Sequence, residues 1–290
     1  MKKVKVLILV VIVATLISFL FNYLLVGKLK NFSAPKIAVV KVYGVIKSSD
    51  GYISILDRLE KDPRVKAIIL RVDSPGGVVG ACQEIYEKVN EVKKLKPVVV
   101  SMGSVAASGG LYISVPATKI VANPGTITGS IGVILQSYNL KELAQKIGIK
   151  VITVKSGKFK DLLNPFREPN QDEIKIVQNL INDTYEQFVE AVAKSRKLPI
   201  EKVKSFADGR VFTGREAKKL GLVDYLGNID KAVEVARKLS NSPNAKVWVV
   251  KERHGIVEKL LGKESSQLIK NLIGVLNGNV EEVKLMYLLN

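Results

Sequence analysis

The order of apolar and polar residues predicts short buried strands that alternate with amphipathic helices. Runs rich in β-branched residues predict strands at Ile37–Ile46, Val65–Val72, Pro97–Met102, Thr118–Ala122, Lys150–Val154 and Ala245–Lys251. Apolar residues at helical spacing predict helices at Gly51–Asp62, Val78–Val92, Leu140–Ile147, Gln171–Ser195, Gly214–Gly221 and Ile229–Leu239. Because strands that alternate with helices are typical of a mostly parallel sheet with crossover helices, the pattern predicts an α/β fold.

The N-terminal pattern is different, because Val6–Val26 is an apolar run without a charged residue. A run of about 21 residues is long enough to span a bilayer. It predicts an uncleaved membrane anchor; a removed signal peptide is the alternative, but Phe32–Ala34 makes a poor cleavage site. The lysines before the run favour a cytoplasmic N terminus, although two lysines follow it. We expect a single-pass protein of the cell membrane with the bulk of the chain outside the cytoplasm.

The C-terminal pattern alternates apolar pairs with lysine and glutamate from His254 onwards. This pattern predicts one or two amphipathic helices. Such helices can pack on the folded domain or lie on a bilayer through their apolar face.

Charge and composition exclude several classes of protein. The formal net charge is +18, and the chain has one cysteine, Cys82, and one histidine, His254. A single cysteine excludes an internal disulfide and a cysteine-rich metal site, and we expect neither a metal nor another cofactor. The lysines are spread along the chain without interleaved aromatic residues, which disfavours nucleic acid as a partner. Solvated lysine-rich faces explain the charge most simply, and attraction to an anionic membrane surface is the alternative.

The segment SMGSVAASGGLYI, residues 101–113, carries the first candidate for chemistry. An apolar strand is predicted to stop at Gly103, and Ser108 follows between small residues at a junction from strand to helix. Small side chains let a substrate backbone approach, and the first N–H groups of a helix can hold a developing anion. We therefore interpret Ser108 as a nucleophile.

Two glycine-containing loops follow predicted strands and could form an oxyanion site with this serine. They are SPGG, which ends at Gly77, and AASGG, which contains Gly109. Ligands of open parallel sheets bind at the carboxyl ends of strands, where these loops would lie side by side. The backbone N–H groups of Gly109 and of Gly77 or Gly76 are the candidate donors, although Pro-Gly-Gly is also an ordinary turn.

A serine nucleophile needs a base, which the sequence offers as a histidine or a lysine. His254 is the obvious residue type, but it lies far downstream in a charged stretch. A lysine must be neutral to accept a proton, and burial favours the neutral form. A predicted strand is followed by three candidate lysines, Lys155, Lys158 and Lys160. Their spacing alone fits three solvated loop lysines equally well.

Five motifs together resemble the signal peptide peptidase A family, membrane-anchored Ser–Lys peptidases. They are SPGG, AASGG, TGSIGV, SGKFKD and GRVFTGREAKKLGLVD, in this order between Lys36 and Lys251. The resemblance implies a ClpP/crotonase-like fold with a repeated β-β-α core and a mostly parallel sheet. It also implies that Ser108 is the nucleophile, that Lys160 is the general base, and that Ser130 orients the lysine amine. Gly77 and Gly109 would then supply the oxyanion hole.

The resemblance and the terminal patterns predict four parts of the chain. These are a membrane anchor at residues 1–28, a linker at 29–36, a peptidase domain at 37–252 and an amphipathic helical tail at 253–290. The implied activity is serine endopeptidase cleavage of signal peptides and other unfolded, hydrophobic, membrane-proximal peptides. Relatives assemble into homo-oligomeric rings, in which the serine and the lysine can come from neighbouring subunits.

Two other functions are compatible with the same loops. A ClpP-like membrane protease that clips a stomatin-type partner would share most of the motifs. A crotonase-type enzyme acting on acyl-CoA would share the two oxyanion loops, but it would need neither the Ser108–Lys160 pair nor a membrane anchor. Peptide and thioester assays would separate these alternatives.

Overall fold

A computed structural model describes residues 13–20, 34–250 and 286–288, which form a mixed α/β structure. Residues 13–20 are helical (α1). Within the described residues, no helix has the length and apolar character needed to cross a bilayer. Most of the predicted anchor, His254 and all but three residues of the predicted helical tail lie outside the described residues.

The strands form one mostly parallel sheet and one small antiparallel pair. Their bounds are β1 Lys36–Tyr43, β2 Val65–Ser74, β3 Gly76–Val78, β4 Val98–Ala107, β5 Lys119–Ala122, β6 Ile127–Gly129, β7 Val211–Thr213, β8 Tyr225–Leu226, β9 Lys246–Val249 and β10 Met286–Leu288. The main sheet has the order β7-β6-β4-β2-β1-β9, with β5 beside β4 and β8 beside β5. Within it, only the described pairing of β6 with β7 is antiparallel. The α/β fold with a mostly parallel sheet is therefore confirmed.

Helices connect and cover the strands. Their bounds are α2 Asp50–Lys61, α3 Val79–Val92, α4 Gly109–Tyr112, α5 Lys141–Lys146, α6 Gln171–Arg196, α7 Ile200–Lys204, α8 Gly214–Leu220 and α9 Ile229–Leu239. The six helices predicted between Gly51 and Leu239 are all present to within a few residues. Capping boxes begin α6 at Asn170 and α8 at Thr213, and Gly221, with φ +89°, ends α8. Such caps satisfy the backbone groups that a helix end leaves unpaired.

Alternate residues of the central strands enter two separate apolar cores. Val40 and Val42 of β1 face a large core that also contains apolar residues of α2, α3 and α6. Ile37 and Val39 face a smaller core, where α9 contributes Ala232, Val235 and Ala236. Because side chains alternate along a strand, β1 is buried on both faces, as is usual for a parallel strand between helix layers.

Three local predictions are wrong. Lys150–Val154 forms no strand; Ile152 and Val154 are 87% and 95% exposed, since no neighbouring strand lies there to pair with them. The place of Trp248 on the last predicted strand predicts a core residue, but Trp248 is 37% exposed, because β9 is an exposed edge strand. The Lys36 ammonium lies 5.4 Å from its indole centroid. Residues 286–288 of the predicted helical tail are a strand paired with β3.

Candidate active site

Ser108 lies at the sharp junction between β4 and α4. Its backbone has φ 51° and ψ −117°, a conformation that non-glycine residues rarely adopt. Two hydrogen bonds fix it there: its N–H donates to the Gly129 carbonyl at 2.8 Å, and its carbonyl accepts from the Tyr112 N–H at 2.8 Å. The predicted strand end at Gly103 is wrong, since β4 continues to Ala107, but the predicted junction at Ser108 is confirmed.

The Ser108 hydroxyl is buried and lacks a partner. Among the described residues, its Oγ is the buried side-chain polar atom without a hydrogen bond. Leaving such a group unsatisfied costs about 1–3 kcal/mol, so this hydroxyl does not contribute to folding through a hydrogen bond. Within the described part of the chain, no other group satisfies it.

The two predicted oxyanion loops meet beside Ser108. A Cβ atom added to Gly76 would lie 2.9 Å from the Gly109 nitrogen, and one added to Gly109 would lie 2.9 Å from the Gly77 nitrogen. Such distances are too short for a real side chain, so only glycines allow the loops to approach this closely. The main-chain nitrogens of Gly77 and Gly109 are therefore neighbours, as the sequence analysis expected.

A bulge in β4 brings Ser108 to the oxyanion loops. Val72 of β2 pairs with Met102, but the next pair is Ser74 with Ala106, so β4 has more residues than β2 between these pairs. The Asp73 carboxylate holds the bulge by accepting the Val105 N–H at 3.0 Å. Extra residues bend a strand and redirect the chain beyond the bulge. Asp73 thus stabilises the bulge through this hydrogen bond.

Ser130 lies next to Ser108 because β6 pairs with the end of β4. Ala107 is opposite Gly129, so Ser108 and Ser130 directly follow paired residues. Ser130 also has a positive φ of 51°, and its N–H donates to the Arg210 carbonyl at 2.8 Å. The two serines that the resemblance selects are therefore brought together by the sheet.

The three candidate lysines lie in an exposed loop, and none of them hydrogen-bonds to Ser108 within the chain. Lys155 is paired with Asp161, and Lys158 is paired with Asp172. The Lys160 ammonium makes no hydrogen bond or ion pair with any residue that the structure describes, and its side chain is exposed. Of the three, Lys160 thus has the amine that remains available to another partner.

An ionic network fixes one end of the loop that carries Lys155, Lys158 and Lys160, which we call the lysine loop. Arg167 binds both Asp161 and Glu173, and Glu173 is fully buried at the start of α6. Arg167 and Lys155 hold the pKa of Asp161 well below its usual range. Arg167, together with the Asn170 N–H, lowers the pKa of Glu173 to about 2. These carboxylates stay charged at neutral pH and anchor the loop next to Lys160.

Cys82 is a second buried nucleophile-type side chain close to the site. A Cβ atom added to Gly109 would lie 2.7 Å from its Sγ. Burial raises the pKa of Cys82 to about 12, so it stays a neutral thiol. Because the thiolate is the reactive form, Cys82 fills space beside the oxyanion loops and does not compete with Ser108.

An aromatic pocket that no sequence pattern indicated adjoins Ser108. Tyr112 of α4 and Phe188 of α6 have ring centroids 5.0 Å apart, and Tyr86 lies 5.1 Å from Tyr112. Tyr287 of β10 fills the space between them. The helical spacing of apolar residues in α6 identified Phe188 as part of its apolar face. No local sequence pattern indicated that residues of α3, α4, α6 and the C-terminal strand lie together.

A Clp-like α/β fold with a strained serine beside two glycine amides defines a serine peptidase. A family model described as peptidase family S49 matches residues 90–242, and one described as Clp protease matches residues 38–126. The chain belongs to peptidase family S49, the family of SppA-type serine peptidases. This membership favours a peptide over an acyl-CoA thioester as the scissile group.

Relatives from three kinds of organism match most of the chain. A "putative protease" of Synechocystis sp. is 43% identical over 240 residues, covering 81% of this chain and 86% of that protein. A "putative signal peptide peptidase SppA" of Enterococcus faecium is 34% identical over 250 residues, covering 81% and 73%. A chloroplastic "serine protease SPPA" of Arabidopsis thaliana is 34% identical over 230 residues, covering 74% and 34%.

Proposed function

We propose that the chain is a membrane-anchored endopeptidase in which Ser108 and Lys160 form a catalytic dyad. Its substrates are cleaved signal peptides and other unfolded hydrophobic segments near the membrane. The observation that carries this proposal is the buried Ser108 Oγ. It lacks a hydrogen-bond partner in the described part of the chain, and it lies beside the neighbouring nitrogens of Gly77 and Gly109.

The chemistry requires one proton carrier and two fixed amides. The neutral Lys160 amine takes the Ser108 proton as Oγ attacks the peptide carbonyl, and the Gly77 and Gly109 N–H groups hold the oxyanion. The protonated lysine then gives its proton to the leaving amine. Water, activated by the same lysine, releases the acyl group and restores the serine.

The base is supplied by a neighbouring subunit of a homo-oligomeric ring. Two observations support this arrangement: among the described residues, neither Ser108 Oγ nor the Lys160 amine has a hydrogen-bond partner. Docking of one chain's lysine loop on the next chain's serine would provide both missing contacts. In that arrangement Ser130 accepts a hydrogen bond from the incoming amine and orients it.

The membrane anchor and the substrate class rest on two separate observations. The apolar run Val6–Val26, most of which lies outside the described residues, has the length of a single membrane span. One relative carries the name of a signal peptide peptidase. An anchor in the cell membrane, with the peptidase domain outside the cytoplasm, would hold the active site where such peptides accumulate.

The first prediction is that Ser108→Ala abolishes peptide hydrolysis while the protein still folds. Removing the nucleophile of a serine peptidase costs at least about a thousandfold in kcat. The measurement is hydrolysis of a fluorogenic hydrophobic peptide by the full-length protein in detergent, wild type against variant.

Two control variants accompany this experiment. Ser104→Ala removes an exposed hydroxyl from the same strand, and His254→Ala removes the histidine of the chain. Both are expected to retain wild-type kcat/KM. Full activity of Ser108→Ala would refute the nucleophile, and a large loss in His254→Ala would instead indicate a histidine base.

A further inference from the structure

The main sheet gathers basic residues from distant parts of the sequence at one of its edges. Parallel strands begin at the same edge, and the helices that connect them return the chain to it. Basic residues lie at or beside the starts of β1, β2, β4, β5 and β9: Lys36, Arg64, Lys66, Lys96, Lys119 and Lys246. The same strands end at Tyr43, Ser74, Ala107, Ala122 and Val249. We call the edge where they begin, with the loops 61–66 and 93–96, the basic edge.

Hydrogen bonds join these strand starts into one continuous surface. The contacts are from the Lys36 N–H to the Arg64 carbonyl (2.8 Å), from the Lys246 N–H to the Pro35 carbonyl (3.0 Å), from the Lys96 ammonium to the Asp62 carbonyl (2.6 Å) and from the Lys93 ammonium to the Pro116 carbonyl (2.7 Å). Lys93 and Lys96 therefore help to hold the loops together. Lys61, Lys66 and Lys94 of the same loops are exposed to solvent.

Positive charge accumulates at the basic edge. Burial lowers the pKa of Lys93, and the neighbouring charges of Lys94, Arg196 and Lys194 lower it further. Carboxylates near this edge are already paired with cations: Asp62 with Arg64, Asp224 with Lys119 and Arg196, and Glu60 and Glu91 with the buried Lys88. The exposed lysines therefore remain as an excess of like charge, whose repulsion an anionic partner would relieve.

An exposed apolar side chain lies in the middle of this charge. Leu95 is 68% exposed in the turn between α3 and β4, with Lys94 and Lys96 on either side. At a membrane surface, lysine extends its amine to the phosphates while its methylene groups lie against apolar matter. A leucine between lysines therefore fits the boundary between lipid headgroups and acyl chains. Nucleic acid offers phosphates but no apolar layer for Leu95.

The order of the chain places the basic edge close to the proposed anchor. The apolar run ends at Val26 and β1 begins at Lys36, so the connection, even fully extended, spans at most about 35 Å. Lys28 and Lys30 lie in this connection and add to the positive charge. The bilayer to which the anchor belongs is thus the anionic surface within reach of the basic edge.

We propose that the basic edge is a membrane-docking face that binds the headgroups of anionic phospholipids, with Leu95 inserted where the headgroups meet the acyl chains. The inference deepens the proposed function and rests on its membrane anchor: the anchor holds the domain at the bilayer, and the face sets its orientation. Ser108 follows the opposite end of the ten-residue strand β4, up to about 33 Å from the lipid. A substrate reaches it only after about ten extended residues have left the bilayer.

The test measures contact between Leu95 and lipid in the full chain. Leu95→Cys protein, with Cys82→Ala to remove the native thiol, carries an environment-sensitive dye and is reconstituted into vesicles of phosphatidylcholine with or without phosphatidylglycerol. Quenching by a lipid with a nitroxide headgroup is expected to be at least about threefold stronger in the anionic vesicles. The difference should vanish at about 1 M salt, where charges are screened within about 3 Å. A dye on Val45→Cys, an exposed position beyond the other end of β1, is the control and should show no difference.

Charge reversal tests whether the basic edge makes this contact. Lys66→Glu combined with Lys94→Glu is expected to reduce quenching in anionic vesicles to the value in neutral ones, because both lysines are exposed at the basic edge. Lys47→Glu combined with Lys175→Glu changes the net charge equally at exposed positions outside it, and this matched control should keep the full quenching. Equal quenching in the two kinds of vesicle, or an equal loss in the two pairs of variants, would overturn the docking face.

Flotation and a DNA probe separate this inference from its alternatives. Flotation with anionic but not neutral vesicles would refute the anchor and support the face. Flotation with both, without stronger quenching at Leu95 in anionic vesicles, would refute the face and leave the anchor. The labelled protein gives the same readout in a Ser108→Ala background, so loss of peptidase activity does not affect it. Binding of a labelled DNA duplex at physiological salt, abolished by Lys66→Glu with Lys94→Glu, would assign the basic edge to nucleic acid and overturn the proposal.

Discussion

Ser108 combines three unfavourable properties at one residue. Its backbone is in a strained region, its side chain is fully buried, and its hydroxyl has no hydrogen-bond partner among the residues that the structure describes. A strained backbone conformation costs about 1–3 kcal/mol, and it persists only where the surrounding structure imposes it. Here the hydrogen bonds to Gly129 and Tyr112 and the close-packed glycines impose it. These properties of Ser108 lower the stability of the fold, and they hold the hydroxyl in a reactive orientation.

The glycine next to the nucleophile can be tested by a single methyl group. In Gly109→Ala the new Cβ would lie 2.7 Å from Cys82 Sγ and 2.9 Å from the Gly77 nitrogen. The two loops must separate, so the oxyanion donors move apart and kcat is expected to fall about 100-fold or more. The measurement is kcat on the fluorogenic peptide, with a thermal melt to show that the protein remains folded.

Cys82→Ala is the control for this substitution, because it removes the sulfur atom without moving either donor nitrogen. It is expected to keep wild-type kcat within about threefold and to lower the melting temperature modestly, since it leaves a small cavity. If Gly109→Ala retained full kcat, the assignment of the Gly109 amide to the oxyanion hole would be wrong.

At the scale of single residues, the sequence predicted those features of the site that depend on neighbouring residues along the chain. Ser108, Gly77 and Gly109 were recognisable because a serine and glycines after apolar strands have few explanations other than a turn or a site. The aromatic pocket was not recognisable, because it brings Tyr112, Phe188 and Tyr287 together from distant parts of the chain. No periodicity or spacing encodes such a contact.

Among the elements, α6 is the one whose start is connected to the lysine loop. Asn170 caps the helix, and Glu173 completes the capping box while it also binds Arg167. Arg167 in turn binds Asp161, the residue after Lys160. The helix therefore fixes one end of the loop that carries the proposed base, and a buried carboxylate couples the stability of this end to pH.

The pH dependence of stability should reflect Glu173. Its pKa is lowered from 4.5 to about 2 in the folded chain, so its stabilising effect is complete above pH 4.5 and is lost as the pH falls towards 2. Glu173→Gln is expected to be less stable than wild type at neutral pH and to lose less stability on acidification. Urea unfolding of both proteins between about pH 6 and pH 3 measures this difference.

Glu190→Gln, which changes an exposed glutamate on the same helix, is the matched control and should follow the wild-type curve. A wild-type protein and a Glu173→Gln variant that lose stability in parallel across this pH range would contradict the assigned role of Glu173.

Helices and central strands were predicted well, and edge elements were not. The predicted helix Ile229–Leu239 has the observed bounds, because its apolar stripe packs on the sheet. Lys150–Val154 has the composition of a strand, yet strand formation depends on a neighbour that supplies hydrogen bonds. The composition of the last strand likewise did not indicate that Trp248 is exposed. Its exposure depends on which strand lies at the edge of the sheet.

In the part of the molecule that the structure describes, the two glycine loops meet beside Ser108, but no lysine amine reaches its hydroxyl. The main sheet places Ser108 and Ser130 side by side, and the lysine loop extends from the body of the domain with an available amine. A ring in which each chain lends its Lys160 to the next chain would complete every site. A contact of this kind joins different surfaces of identical subunits and closes only in a cyclic assembly.

Mixing two inactive variants tests the shared site. Ser108→Ala and Lys160→Met should each be inactive alone. When equal amounts are dissociated and assembled together, about a quarter of the interfaces join an intact serine to an intact lysine. Recovery of about that fraction of wild-type hydrolysis is expected, provided that co-assembly is verified by differently tagged chains. Lys158→Met is the control for loss of a loop lysine and should be active alone; no recovery after verified co-assembly would place both groups in one chain.

The narrow space around Ser108 has a consequence for what the enzyme can cleave. The Ser108 side chain is fully buried, and the glycine loops beside it leave no room for a Cβ atom at Gly76, Gly77 or Gly109. A peptide bond in an extended segment could reach this hydroxyl, whereas one inside a membrane helix or a folded domain would be kept away by the chain around it. Such a peptidase could share a compartment with intact proteins.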